Sequence, residues 1–333
     1  MLKNNKLVLI CAFLFLIYLF KNEYLFFFLN YDNLVHLIKS IIKYPLLDEI
    51  ILNHSSKCGK LFKYKENNKR DLVMFSYKSI KNDYNSKRSL LIYNIVDSIK
   101  KNLPNAKKIC FVPNNSKNNL IIKILKKNNV LIIKKKSFLN MNVVSSRFLY
   151  EYEYLKKNIN LFDRVVHSDL TDTIFLSDIF KTLKANELII NKECGENSVF
   201  GAKGNFILSQ YWNKKWFQRN FGYNKTLVNI FKRINPVVIN AGLIMGDSKE
   251  YLKLLEIMKE NFNYSKALYF GYDQMLINVL YYTGKLKNIN IKFDLCTQRS
   301  CFMPSLIFNK EKKNLYFKTG CSPILIHKSF PSN

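Results

Sequence analysis

Two aspartates follow a short apolar stretch near the middle of this 333-residue chain. Asp169 and Asp172 follow the stretch Arg164–His167 within five residues, and α/β folds present such strand ends to ligands. Two carboxylates placed there can share a hard divalent cation, which can bridge phosphates and neutralise a diphosphate leaving group. The structural alternative is that one of the two aspartates caps the helix or turn that follows.

Two other kinds of phosphate chemistry fit the sequence less well. A phosphatase-type nucleophilic aspartate also follows an apolar strand and uses two carboxylates around magnesium, but its pattern is D-x-D-x-T. Here the second aspartate is one residue too far along the chain. Gly195–Gly204 matches neither the P-loop nor the dinucleotide-binding fingerprint, which disfavours both of those sites.

The hydrophobic pattern predicts the elements that position the aspartates. Strand-like apolar runs alternate with helical patterns in the order Leu72–Tyr77, Ser89–Asn102, Lys108–Val112, Asn118–Lys127 and Val130–Ile133. This β-α-β-α-β order predicts a parallel sheet with right-handed crossovers. A further helix, predicted over Ser145–Asn158, leads the chain to the strand that precedes Asp169.

Composition narrows the class of protein. With 48% hydrophobic residues, ten Gly and seven Pro, the chain is neither disordered nor collagen-like. It carries 53 Lys plus Arg against 24 Asp plus Glu, a net charge of +29, but very few of these cations are arginine. Lysine spread over every segment, without an arginine patch, disfavours a nucleic-acid binder. The surplus charge can still attract an anionic substrate or a membrane surface.

The N-terminal region predicts a membrane anchor. Lys3 and Lys6 precede an apolar run that begins at Leu7, and extension to Leu29 gives a segment long enough to cross a bilayer. No small-residue cleavage site follows, and the positive-inside rule holds the lysines in the cytoplasm. The predicted organisation is therefore a cytoplasmic tail (1–6), a transmembrane signal anchor (7–29), a stem (30–70) and a lumenal domain (71–333).

Cysteine usage fits an oxidising compartment. Cys11 lies in the apolar run, and the other six of the seven cysteines form an even number. Cys296 and Cys301 are near enough in sequence to close a local loop, although the spacing does not fix the connectivity. The chain has no C-x-x-C pair and its four histidines are scattered, which disfavours a zinc site.

Four segments, in the expected order over residues 72–328, resemble those of Golgi-type GT-A glycosyltransferases. His167–Phe180 resembles their D-x-x-D-x-x-F-x-x-D-P-F stretch, whose D-x-D-like element holds Mn²⁺ and a nucleotide sugar. Asn240–Gly246 resembles their N-[AS]-G-[LIV]-x-x-G strand, and Asp273–Asn278 resembles their D-Q-x-x-[LIV]-N helix. Ile324–Lys328 resembles the C-terminal element whose histidine completes the metal site.

The resemblance implies a fold, a location and a cofactor. The expected fold is a GT-A type α/β domain with a Rossmann-like, mostly parallel sheet flanked by helices, preceded by the transmembrane helix. The expected protein is a single-pass type II membrane protein that faces the Golgi or ER lumen. Its cofactor would be Mn²⁺ or Mg²⁺, held by Asp169, Asp172 and His327.

The resemblance also implies roles in sugar transfer. Both aspartates, together with Asn240 and Gly242, would bind a nucleoside diphosphate sugar. Asp273 and Gln274 would be catalytic, and the sugar would pass to a hydroxyl of a glycan or protein acceptor. The D-Q helix and the metal-binding histidine favour retention of the anomeric configuration, but the sequence gives no carboxylate separation from which to derive it.

Several of these residues also have a purely structural interpretation. Asp273 is placed to cap a helix, and a single histidine such as His327 after an apolar strand is often only packed. Trp212 and Trp216 lie at the helical spacing typical of core residues, and stacking on a sugar ring is their functional alternative.

Two positions depart from the glycosyltransferase pattern. Thr171 stands where relatives often carry Arg, and Ile179 where Pro is common, so Asp169 is the better metal-ligand candidate than Asp172. These departures favour, as a second hypothesis, a non-catalytic membrane-anchored sugar-binding or scaffold protein. A third is a basic surface adhesin, whose lysines would engage anionic glycans and whose binding would weaken with salt.

Overall fold

A computed structural model gives the architecture of most of the chain after residue 49. It describes residues 50–77, 86–114, 120–136, 141–171, 173–193, 206–209, 211–294, 299–302, 307–309, 311–317 and 319–327. The predicted transmembrane segment at residues 7–29 and the predicted metal ligand Asp172 lie outside these residues. Within them, none of the helices combines the length and the apolar character needed to cross a bilayer.

The protein has an α/β fold. Its strands are β1 (Asp71–Ser76), β2 (Lys107–Pro113), β3 (Leu131–Lys135), β4 (Arg164–Ser168), β5 (Thr173–Phe175), β6 (Leu188–Lys192), β7 (Ile239–Asp247), β8 (Ile291–Asp294), β9 (Ser300–Phe302), β10 (Ile307–Asn309), β11 (Asn314–Tyr316) and β12 (Leu325–His327). Its helices are α1 (Ser86–Asn102), α2 (Leu120–Lys127), α3 (Val143–Asn158), α4 (Tyr211–Phe221), α5 (Lys225–Ile234), α6 (Ser248–Glu260) and α7 (Tyr272–Tyr282).

A seven-stranded, mostly parallel sheet with the order β3-β2-β1-β4-β7-β6-β8 forms the centre of the fold. Strands β1 to β4 pair in parallel, and β6 pairs in parallel with β8. Strand β7 runs antiparallel to both of its neighbours, β4 and β6. The mostly parallel sheet and the β-α-β-α-β order of its first half, both predicted, are confirmed. Because β4 and β6 run in the same direction, their carboxyl ends lie at the same edge.

Helices cover both faces of the sheet, which explains why the strands are apolar throughout. Along β1, Leu72 and Met74 belong to one core cluster, and Val73 and Phe75 belong to another. The first cluster includes residues of α3, α6 and α7, and the second includes residues of α1 and α2. Since successive side chains of a strand point to opposite faces, a strand buried on both sides reads as a continuous apolar run.

A small second sheet brings the C-terminal strand to the end of β4. It has the order β5-β12-β9, with β12 antiparallel to β5 and parallel to β9. His327 of β12 pairs with Thr173, the first residue of β5. Since β5 follows β4 after a short turn, this pairing carries a residue near the C-terminus to the segment that contains Asp169.

Residues 50–70, which belong to the predicted stem (30–70), pack on the domain. The amide of Ile51 donates to the carbonyl of Lys313 at 2.9 Å, and Asn53 N donates to Ser322 Oγ at 2.7 Å. A disulfide joins Cys58 to Cys321 across 263 residues of sequence. The folded domain therefore begins earlier than its first apolar strand indicates. The local loop suggested by the spacing of Cys296 and Cys301 lies outside the described residues, because Cys296 is not among them.

Loss of this disulfide is expected to destabilise the domain. A C58S/C321S variant should lose about 2–4 kcal/mol of unfolding free energy, because the bridge restrains a long loop in the unfolded chain. Urea unfolding of the full chain under non-reducing conditions measures the loss. The single variant C58S serves as the control and should lose the same amount, since either substitution removes the bridge. Unchanged midpoints in both variants would contradict the prediction.

Candidate functional site

The candidate site begins where β4 ends. Asp169 is the first residue after β4, and its backbone amide donates to the carbonyl of Gly242 on β7 at 2.9 Å. Its Oδ2 atom lies 3.5 Å from Nε2 of His327, which is buried on β12. Two of the three predicted metal ligands are therefore neighbours, although about half of the chain separates them in sequence. The third, Asp172, lies outside the described residues.

Gly242 leaves space between these two side chains. A methyl group on Gly242 would overlap Asp169 Oδ2 and would lie 2.8 Å from both Nε2 and Cε1 of His327. Glycine is thus required here by the close approach of the two polar groups. The backbone of Gly242 shows that β7 forms the floor on which the carboxylate and the imidazole meet.

The chemistry of this donor pair fits a divalent cation. Asp169 Oδ2 and His327 Nε2 both lie next to Gly242, which has no side chain. A carboxylate oxygen and an imidazole nitrogen are suitable ligands for Mn²⁺ and similar ions. Within the described residues, no group of three His, Cys, Asp or Glu side chains is arranged to hold a metal. The described part of the site thus supplies two candidate ligands, Asp169 and His327.

Arg147 was not predicted as a site residue, yet it connects the two main acids of the site. It lies on α3, where its Nη1 pairs with Asp169 Oδ1. Its Nη2 donates to Asp273 Oδ2 at 2.9 Å and to the carbonyl of Ala241 at 3.1 Å. The only sequence signal for this role is that arginine is rare in a chain whose cations are mostly lysine.

Burial sets the protonation of this cluster. The side chains of Arg147 and Asp273 are only 5% and 2% exposed. Burial disfavours the charged guanidinium, but the carboxylates of Asp169 and Asp273 outweigh this effect and raise the pKa of Arg147. Burial raises the pKa of Asp273, and the neighbouring Arg147 opposes that rise. Arg147 is therefore a permanent cation between the two acids.

A network of buried hydrogen bonds helps to position Arg147. His167 Nε2 donates to the carbonyl of Ala241 at 3.1 Å, the same carbonyl that accepts from Arg147. His167 Nδ1 lies 2.9 Å from both carboxylate oxygens of Glu151, and the hydroxyl of Tyr251 donates to that carboxylate at 2.5 Å. These contacts fix the Ala241 peptide and, through it, the position of the guanidinium.

Asp273 lies in the first turn of α7 and is not its N-cap, which is Gly271. The structural alternative considered for Asp273, helix capping, is therefore wrong. The next residue, Gln274, accepts from the amide of Ala241 at 3.3 Å. Asn240 accepts from the amide of Gly242 at 2.7 Å through Oδ1. The structure thus places both predicted catalytic residues and Asn240 beside the Asp169–His327 pair.

No sequence motif marks Glu193 as a site residue, although its position offers a signal. It follows β6, whose carboxyl end lies at the same edge of the sheet as that of β4. Its carboxylate accepts from Asn240 Nδ2 at 2.9 Å, from Gln274 Nε2 at 3.0 Å and from Asn213 Nδ2 at 3.2 Å. A single buried acid therefore orients three side-chain amides toward one cleft.

That cleft has a volume of about 220 Å³ and is bounded on one side by aromatic rings. Trp212 and Trp216 of α4 and Phe270, which precedes α7, form this side, and the Trp216 and Phe270 ring centroids are 5.2 Å apart. Trp212 is 53% exposed and belongs to none of the buried core clusters. The core interpretation of Trp212 is therefore wrong.

The raised pKa of Asp273 predicts a dependence of stability on pH. In the folded protein this carboxyl binds its proton more tightly than in the unfolded chain, where its pKa is near 3.8. Its contribution to stability is therefore greatest at low pH and falls as the pH rises from about 4 through the folded pKa. The difference in unfolding free energy between wild type and Asp273→Asn should fall over the same range in urea titrations.

Asp163 provides a control, because its contribution to stability should change with pH in the opposite direction. Its exposed carboxylate pairs with Arg70, which lowers its pKa from the ordinary value of 3.8. The contribution of Asp163 is present above about pH 4 and is lost as the pH falls through the folded pKa. The difference between wild type and Asp163→Asn should therefore rise with pH. Parallel trends for the two variants would contradict the prediction for Asp273.

Comparison of the sequence with protein-family models found no match, and comparison with curated proteins found no significantly similar chain. Any functional conclusion therefore depends on the residues of the site and their arrangement. The site combines a carboxylate and imidazole pair, a buried acid and arginine cluster, and a cleft lined by amides and aromatic rings. Such an arrangement can hold a cation and orient a polar ligand beside it.

Proposed function

We propose that this protein is a metal-dependent glycosyltransferase that moves a sugar from a nucleoside diphosphate sugar to an acceptor hydroxyl. The observation that carries the proposal is the Asp169–His327 pair, which converges over Gly242 beside buried Asp273. Polar groups that converge at the carboxyl ends of strands in a mostly parallel sheet are typical of ligand sites. These features support a GT-A type, Rossmann-like domain.

Asp169 and His327 would hold Mn²⁺ or Mg²⁺, with Asp172 as the proposed third ligand. A cation at this position neutralises the charge of a diphosphate leaving group. The bound nucleotide sugar would also contact Asn240 and the backbone at Gly242. Hydrogen bonds from Gly242 N to Asn240 Oδ1 and from Asn240 Nδ2 to Glu193 fix the orientation of that amide before the donor binds.

Asp273 and Gln274 would act on the sugar itself. A carboxylate beside the reacting carbon stabilises the positive charge of an oxocarbenium-like transition state. Arg147 keeps the Asp273 carboxylate in a fixed position through a hydrogen bond of 2.9 Å. Gln274 is held between the Ala241 amide and Glu193, so its side chain is oriented before the substrate enters.

The disulfide between Cys58 and Cys321 supports a location in an oxidising compartment. Together with the apolar N-terminal segment, it favours a single-pass type II membrane protein that faces the Golgi or ER lumen. The acceptor would then be a glycan or a protein of the secretory pathway. The N-terminal helix would anchor the protein in the membrane.

Thermal shifts of the full chain with a panel of UDP- and GDP-sugars test this function. A ligand present at 100 times its Kd stabilises the folded state by about 2.7 kcal/mol. We expect such a shift for at least one nucleotide sugar with Mn²⁺, and its loss with EDTA or in Asp169→Asn. Asp163→Asn, at the opposite end of β4, is the matched control and should keep the shift. If no nucleotide sugar of the panel stabilises the wild type, the proposal is rejected.

A non-catalytic sugar-binding protein is the second candidate. The pairing of Asp169 with Arg147 favours it, because a guanidinium already neutralises part of the carboxylate that would bind the cation. Release of nucleoside diphosphate from the stabilising nucleotide sugar separates the two functions. An enzyme releases it, by slow hydrolysis even without acceptor, whereas a binding protein leaves the donor intact.

A further inference from the structure

The cleft beside Asp273 has two chemically different walls. Its aromatic wall consists of Trp212, Trp216 and Phe270. Trp212 is 53% exposed, Tyr211 packs edge-on against it with ring centroids 5.0 Å apart, and Lys215 Nζ lies 5.5 Å from its ring centroid. Covering the exposed part of this indole with a ligand lowers the free energy, because apolar surface is removed from water.

The other wall is polar, and none of the described residues that line it is an accessible cation. Glu193, Asn213 and Gln274 are joined by hydrogen bonds of 2.9–3.2 Å. Arg147, the one cation among the described residues that line the cleft, is held by Asp169 and Asp273. An anionic group would therefore meet carboxylates here, whereas a neutral ligand with hydroxyl groups would find both donors and acceptors.

The combination of the two walls selects a sugar ring. A pyranose presents apolar C–H groups on its face, which suit an aromatic wall, and hydroxyls at its rim, which suit amides and carboxylates. The cleft volume of about 220 Å³ is smaller than the ~300–1,000 Å³ usual for drug-sized ligands, so it fits a single ring better than a peptide segment.

Gly271 links the aromatic wall to the acid of the site. Its φ of 83° is in the left-handed region, and a methyl group at this position would overlap the indole of Trp216. The indole thus lies against the start of α7, which carries Asp273 as its second residue. A ring on this wall would bring a hydroxyl to the acid cluster.

We propose that Trp212, Trp216 and Phe270 form the stacking wall of a subsite for a neutral sugar ring. Ring binding follows from the two walls alone and does not require the proposed glycosyltransferase function. Trp212 and Asn213, adjacent on α4, provide one group to each wall.

The two tryptophans of the chain both lie on this wall, so intrinsic fluorescence reports its occupancy directly. The test titrates the full chain in detergent, with EDTA present, against the methyl glycosides of glucose, galactose, mannose, xylose and N-acetylglucosamine. We expect a saturable change in tryptophan emission for at least one glycoside, with a millimolar dissociation constant.

Single substitutions test whether glycoside binding depends on the aromatic wall. Trp212→Ala should lower the affinity for the glycoside at least tenfold, with Trp216 as the remaining fluorescent reporter. Trp212→Tyr should retain most of the affinity, because it keeps a ring on which the sugar can stack. Tyr223→Ala removes an aromatic ring that is also exposed but does not line the cleft, and it should leave the affinity unchanged. Melting temperatures of the variants show that each is folded.

The outcomes separate this inference from the proposed function. Glycoside binding in EDTA with no nucleotide-sugar shift supports the ring subsite and rejects the glycosyltransferase. A nucleotide-sugar shift without glycoside binding, or emission changes caused only by Ser- or Thr-containing peptides, overturns the ring subsite. Equal affinity of wild type and folded Trp212→Ala also overturns it.

Discussion

Replacement of Arg147 by methionine is expected to lower the free energy of unfolding by about 3–5 kcal/mol, because it removes one partner of a buried ion pair. Asp169 and Asp273 would then share a buried site without their common cation. Repulsion between the two carboxylates would also displace Asp169 from His327, so cation-dependent binding of a nucleotide sugar should be lost. Urea unfolding and thermal shift measure the two effects on the same protein.

Two other arginines of the chain provide matched controls. Arg70 and Asp163 form an exposed pair, with 53% and 56% of their side chains accessible, so Arg70→Met should leave the free energy of unfolding nearly unchanged. Arg164 and Asp71 form a buried pair at the opposite end of β4. Arg164→Met should lose as much stability as Arg147→Met but retain nucleotide-sugar binding.

A combined variant separates the stability effect from the binding effect. Asp273→Asn added to Arg147→Met removes one of the two uncompensated charges and should recover part of the lost stability. It should not recover binding, because the guanidinium that positions Asp169 is still missing. Binding of a nucleotide sugar by folded Arg147→Met, at wild-type affinity, would show that Arg147 has only a structural role.

Much of the sheet was predictable because the hydrophobic pattern that marks its strands is local in sequence. The apolar runs that form β1, β2 and β3 are buried on both faces, and such strands can be recognised from a few adjacent residues. The start of the domain was not predictable in this way. Residues 50–70 contain no strong apolar run and are attached by hydrogen bonds and by the Cys58–Cys321 disulfide. Disulfide connectivity cannot be derived from spacing alone.

The site was predictable only where a resemblance to a known family supplied the connection. Asp169, Gly242, Asp273 and His327 come from four elements that are distant in sequence, and no local pattern links them. Arg147 and Glu193 had no matching motif, so their contacts with these residues emerged only in three dimensions. Glu193 illustrates a signal that was present, since it follows an apolar strand whose carboxyl end lies at the same edge of the sheet as that of β4.

The second large effect concerns a residue without a side chain. Gly242→Ala is expected to weaken Mn²⁺ binding at least a hundredfold, because its methyl group would overlap Asp169 Oδ2 and crowd His327. The same substitution should lower the unfolding free energy by only about 1–3 kcal/mol, the usual cost of overpacking. Isothermal titration with Mn²⁺ alone measures the first effect, and urea unfolding measures the second.

Gly284→Ala distinguishes a steric effect at the site from a general effect of losing a glycine. Gly284 has a φ of 77° and nothing within 4 Å of the position that a methyl group would occupy. Its replacement should cost about 1 kcal/mol through backbone strain and leave Mn²⁺ affinity unchanged. If folded Gly242→Ala bound Mn²⁺ as tightly as Gly284→Ala, the cation would not lie between Asp169 and His327. The proposed function would then lose the feature on which it depends.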